Sequence, residues 1–120
     1  MSGKDALFAW VEEALAPMGQ ATMRKMMGGA TLYLDGTVFA ILDEEEIWFK
    51  SDAQGDAVWD AEGCERFTYS FADGRTGSMN YRRAPLDVYD DPEAMQRWAR
   101  VAIEAGLRAA AAKKPKRKKA

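Results

Sequence analysis

Histidine is absent from this chain, and cysteine occurs once, at Cys64. The first absence excludes Ser-His-Asp and Cys-His nucleophilic chemistry and every histidine-based zinc site. The second excludes an intramolecular disulfide and fits a reducing compartment. With no histidine to activate it, Cys64 reads as a buried, inert thiol. No apolar run reaches the roughly 18 residues that a membrane span needs, and the N-terminus lacks the charged-then-apolar pattern of a secretory signal. A cytoplasmic protein with no membrane contact is expected.

What is present is enough to build one core. The chain has 120 residues, 48% hydrophobic, with four tryptophans, which is one domain by length. Its net charge of −2 conceals an asymmetry. The closing segment KKPKRKKA carries six positive charges, which leaves the rest of the chain at −8. The expected organisation is a folded body over residues 1–110 and a disordered basic tail over 111–120. Six like charges without a large apolar side chain do not offset the entropy of ordering.

Periodicity places the elements. Leu7, Val11, Leu15 and Met18 recur at steps of four, four and three residues, which predicts a first helix from Lys4 to Ala16, capped by Ser2 and stopped by Pro17 and Gly19. A strand over Ala21–Met27 runs into Gly28-Gly29, a bulge, a tight corner or a close backbone approach. Asp35-Gly36 between Thr31–Leu34 and Thr37–Leu42 is a two-residue hairpin signal. That register sets Leu32 opposite Phe39 and puts Leu32, Leu34, Phe39 and Ile41 on one face. The other face, with Tyr33, Val38, Ala40 and Leu42, is also apolar, so cover on both faces is expected, from helices or from a second copy of the chain.

A turn at Glu44-Glu45 leads to a strand at Ile47-Trp48-Phe49. A short helix is expected over Asp52–Glu62, burying Val58 and Trp59 and ending at Gly63. Phe67, Tyr69 and Phe71 alternate with polar residues as one strand, paired with Thr76–Tyr81. An odd-length loop between them would align Met79 and Tyr81 with the three rings on one buried face. The last helix opens at Asp91-Pro92-Glu93 and frays from Ala109.

Several stretches carry a family likeness in their order and spacing. They are Ala16-Pro17-Met18-Gly19, Arg24-Lys25-Met26-Met27-Gly28-Gly29, Leu32-Tyr33-Leu34-Asp35-Gly36, Trp48-Phe49-Lys50, Phe67-Thr68-Tyr69, Ser78-Met79-Asn80-Tyr81, Ala84-Pro85, Asp91-Pro92-Glu93 and Trp98-Ala99-Arg100. Over residues 5–108 the chain resembles the N-terminal domain of the TfoX/Sxy competence-regulator family. It departs from that pattern at Met27 and Ala30, where aromatics are common. A lysine arm also stands where two-domain members carry a C-terminal helical domain. The resemblance implies a two-layer α+β fold, ordered helix, three strands, helix, two strands, helix, with an antiparallel sheet shaped like that of secretion chaperones. It also implies a bacterial regulatory association.

Three functional readings follow. The first is a non-enzymatic regulatory or binding module with a protein partner in transcription regulation, able to form a homodimer. The second is non-specific nucleic-acid association through Lys113, Lys114, Lys116, Arg117, Lys118 and Lys119, against the plainer reading of a solvated tail. The third is an enzyme using carboxylates alone, around Asp87, Asp90 and Asp91. Arg24, Lys25, Arg82 and Arg83 are candidates for a partner or anion site, or for rim salt bridges. No cofactor is expected.

Overall fold

The computed structural model describes residues 3–26 and 29–113. Helix α1 (Gly3–Leu15) is followed by β1 (Ala21–Met26), β2 (Gly29–Leu34), β3 (Thr37–Asp43) and β4 (Glu46–Lys50). Then come α2 (Asp56–Glu62), β5 (Arg66–Ser70), β6 (Thr76–Arg83), a 3-10 turn (Leu86–Tyr89) and α3 (Pro92–Lys113). The expected α+β order of helix, strands, helix, strands, helix holds. Four strands rather than three precede α2, so the antiparallel sheet has six strands, ordered β1-β2-β3-β4-β6-β5.

The helices lie on one face of that sheet. Val11, Ala14 and Leu15 of α1 and Met95, Ala99 and Ala102 of α3 close over Leu32, Leu42, Ile47 and Phe49. The 3-10 turn is tied in by the Trp10 indole N–H, which donates to the Val88 carbonyl at 2.8 Å. The Ile47 amide donates to the Tyr89 hydroxyl at 2.8 Å, and Gln96 donates across to the Ala14 carbonyl at 2.9 Å. Asp91 caps α3 as expected, accepting from the Glu93 amide at 3.0 Å. The helix does not fray at Ala109. It runs to Lys113 because alanine is the best helix former and needs no apolar contact to stay helical.

Three sequence expectations are corrected. The Asp35-Gly36 turn forms, with φ of 49° and 85° and Leu34 opposite Thr37. A β-bulge then intervenes, so Leu32 pairs with Ala40 rather than Phe39. The extra residue lets both Phe39 and Ala40 enter the core and sends Ile41 to the opposite face. Helix α2 begins at Asp56, four residues late, because Asp52 instead holds a turn by accepting from the Gly55 amide at 2.8 Å. Val58 points to solvent, and Trp59 is the one side chain that this helix buries.

Gly29 sits in β2, where a Cβ would stand 2.5 Å from the Leu42 carbonyl oxygen, so the close backbone approach is the reason for glycine there. At Gly106 a Cβ would collide with the Val38 carbonyl oxygen and lie 2.8 Å from Thr37 Cγ2. Alanine for glycine inside a helix ordinarily adds about 1 kcal/mol of stability. Here the sign reverses, because α3 must lift off β3: Gly106→Ala loses about 1–3 kcal/mol. A urea midpoint above that of the wild type would contradict this.

Candidate functional site

The second face of the sheet carries no helix among the described residues. Strand alternation brings to it Arg24 and Met26 from β1, Tyr33 from β2, Val38 and Ile41 from β3, and Trp48 and Lys50 from β4. Phe67 and Tyr69 of β5 and Met79, Tyr81 and Arg83 of β6 complete it. The odd loop is observed: Ser70 pairs with Thr76, and the Phe71 amide donates to the Arg75 carbonyl at 2.8 Å. Phe67, Tyr69, Met79 and Tyr81 therefore share a face, as expected. That face is only partly buried: Ile41 and Trp48 are covered by its own rings and neighbours, but its β5–β6 end is open. Tyr69, Phe71 and Met79 are 39%, 41% and 37% exposed, because helices cover only the other side.

A run of rings crosses this open face. Trp48 and Phe67 meet edge-to-face at 5.0 Å, Phe67 and Tyr69 lie 6.4 Å apart, and Tyr69 and Phe71 meet edge-to-face at 5.3 Å. Tyr69 has its place because Gly77 lies opposite: a Cβ there would sit 2.7 Å from the tyrosine ring. Cations flank the rings. Arg83 stacks on Trp48 at 4.6 Å, Arg75 on Phe71 at 4.6 Å, and Lys50 over Tyr81 at 5.3 Å. The Trp48 indole N–H, buried beneath the run, has no acceptor among the described residues.

The four basic candidates of the strands separate. Lys25 pairs with Asp5 at 2.9 Å on the helix side. Arg83 pairs with Glu46 and, at 3.1 Å, with Glu65. Arg24 has no ion pair among the described residues and stands at the far end of the cross-strand row Arg24, Thr31, Ile41, Trp48, Arg83. Across five strands that separation is roughly 19 Å, too wide for one small anion. Of the arm, Lys113 closes α3, and Lys114, Lys116, Arg117, Lys118 and Lys119 lie outside the described residues.

Arg82 turns to the helix side and is the most buried charge described, at 3% exposure. Its guanidinium reaches Asp60 at 2.7 Å, Asp56 at 3.1 Å, the Cys64 carbonyl at 3.1 Å and Asn80 Oδ1 at 3.2 Å. Asp56 also accepts from Ser51 at 2.8 Å and from Asn80 at 3.0 Å. This network, which pins α2 to β6, escaped the sequence reading. Its signal was available: Asp56 and Asp60 stand one helical turn apart beside Trp59.

Two carboxylates in this region titrate low. Burial pushes the Asp56 carboxyl up, but donation from Ser51 and Asn80 and the charges of Arg82 and Arg66 outweigh it. Asp52 is held low first by the Arg108 guanidinium, which grips it at 2.7 and 2.9 Å, against a smaller opposing effect of burial. A carboxyl depressed in the folded state contributes stability above the unfolded value of about 3.9, and that contribution is lost as pH falls through the folded value. Stability should therefore fall below about pH 4, and Asp56→Asn should flatten the acid limb of a urea-midpoint-against-pH curve. A limb unchanged in that variant would refute the assignment.

The Cys64 thiol is pushed up, by burial first and then by Glu62. Asp91 serves as a helix cap, and Asp87 pairs loosely with Arg97 at 3.7 Å. Among the described residues no three Cys, Asp or Glu side chains are grouped to hold a metal, and no helix is long and apolar enough to cross a membrane.

No curated protein matches the chain. A family match does, and it spans the whole six-stranded sheet, α2, the 3-10 turn and most of α3. Residues 13–106 match the TfoX N-terminal domain, and the chain belongs to that family.

Proposed function

We propose that this protein is a non-catalytic regulatory module that works by docking a partner on its open sheet face. The observation that carries the reading is the one-sided cover of the sheet, which leaves Tyr69, Phe71 and Met79 in solvent. Contiguous exposed apolar surface rimmed by polar groups marks interaction sites, and aromatic and methionine side chains are enriched in them. Membership of a family associated with competence regulation supports a bacterial, cytoplasmic role in transcription regulation.

A second reading has its own support. The last turns of α3 reach the sheet rim, where Ala109 and Ala110 line a cavity with Lys50 and Tyr81. The lysine arm thus starts beside a cation of the open face, which suits association with a polyanion.

The test is capture of partners from the native cell, with and without nuclease, by wild type and by Tyr69→Ser/Met79→Ser. Both side chains are exposed, so the substitutions leave the core intact. The face variant is expected to lose the partners that the wild type retains. Recovery of the same set by both would refute docking on this face. Turnover in a screen with divalent metals would refute the non-catalytic reading.

A further inference from the structure

Resting on the reading of the open face as the docking surface, we infer that its occupant is single-stranded nucleic acid. The strand would be laid from the β5–β6 hairpin tip toward the root of the lysine arm, with bases against exposed rings. Single strands are held by a positively charged track combined with aromatic side chains on which bases stack. Both parts stand along one line here. From the tip the line passes Arg75 on Phe71, then Tyr69, then Phe67 beside Met79, then Lys50 over Tyr81. It ends where Ala109 and Ala110 meet Lys50 and Tyr81 at the rim, three residues before Lys113.

The span from Arg75 to Tyr81 along β6 is about 20 Å, room for a few nucleotides. Tyr69 is seated over a glycine and is not enclosed by neighbours on its outer side, which leaves ring surface for a base.

Charge selects the occupant. Lys50 has no ion pair among the described residues, and the arm that begins at the same end adds six positive charges. Of the acids near this face, Asp73 pairs with Arg75 at 2.8 Å at the hairpin tip, while Asp43, Glu46 and Glu65 sit at the opposite strand ends, where Arg83 holds Glu46 and Glu65. The rest of the acidic body would repel a polyanion, and Arg24, also without an ion pair among the described residues, stands at the far edge of the sheet, away from this line. A duplex keeps its bases stacked on one another and offers these rings nothing. The arm alone would take duplex and single strand alike, and the rings make the difference.

The experiment is fluorescence anisotropy with labelled oligothymidylate, oligouridylate and a duplex of equal length, titrated with the full chain at about 50 and 200 mM salt. A single strand should bind at least about ten-fold more tightly than the duplex, and the thymidylate and uridylate arms tell DNA from RNA. Tyr69→Ala should weaken single-strand binding roughly ten-fold, with Tyr69→Phe retaining it. Lys50→Ala should lower the salt slope by about 0.7.

Equal affinity for strand and duplex, unchanged in Tyr69→Ala, would overturn the inference and leave the arm as the binder. Absence of binding to either at the lower salt would overturn it as well. Sedimentation showing a dimer that Tyr69→Ala converts to monomer would seat a second copy on the face and overturn the nucleic-acid occupant. Those results would leave the docking reading standing, because that reading fails only if the face variant keeps its cellular partners.

Discussion

Trp59→Ala lowers the unfolding free energy by about 3–5 kcal/mol, the range for removing a large buried ring without collapse of the space it leaves. Trp59 is fully buried, stacked on Phe49 at 5.5 Å and tilted against Trp98 at 5.3 Å. It joins α2, the sheet and α3 at one point. Helix α2 has only seven residues and no other buried side chain, and a helix that short does not hold by propensity. Losing the ring should therefore release α2 along with the packing energy. Against a total stability of about 5–15 kcal/mol, the loss should appear as a fall in Tm of roughly 10–25 °C. Trp59→Phe is the control. The indole N–H has no acceptor among the described residues, so phenylalanine forfeits no hydrogen bond seen there and should cost clearly less. Equal losses in the two variants would mean that the ring stack is not what holds α2.

How much of this architecture was legible in the residues depends on whether the signal is local. The Asp35-Gly36 turn was legible because left-handed backbone at both positions is chemistry carried by those two residues. The bulge after it was not. Phe39, Ala40, Ile41 and Leu42 are all apolar, so a shift of phase by one residue leaves the pattern unchanged and sequence alone cannot register it. The hairpin phase between Phe67 and Tyr81 was readable because only one register puts apolar beside apolar. Whether that face is covered is a separate matter. Alternation says that two faces differ, and cover depends on where three helices pack. The open face was therefore read as core. The basic candidates show the same limit. Arg82 and Arg83 are neighbours and identical, yet strand geometry sends one beneath α2 and leaves the other on the open face.

Arg82→Ala should cost about 3 kcal/mol, the low end of the range for breaking a buried ion pair by removing one partner. The low end applies because the partners are unequally dry: Asp60 is 66% exposed on its side chain and regains water when the guanidinium leaves, whereas Asp56 is three-quarters buried. The Cys64 carbonyl and Asn80 Oδ1 lose their donor, and Asp56 loses its nearest charge while keeping Ser51, Asn80 and the longer contact with Arg66 at 3.8 Å. Arg82→Lys should recover little, since an ammonium cannot reach both carboxylates and the carbonyl as a planar fork does. A plain cavity predicts the same loss at every pH. Removing the charge predicts more, because Asp56 is held low partly by Arg82. Without Arg82 its carboxyl lies nearer the unfolded value, and the variant should lose less stability between neutral pH and pH 3–4 than the wild type does. Urea unfolding of both proteins across that range measures the two effects together. A variant that melts within a degree or two of wild type would show that the network is incidental to the fold, and a parallel acid limb would reduce Arg82 to packing.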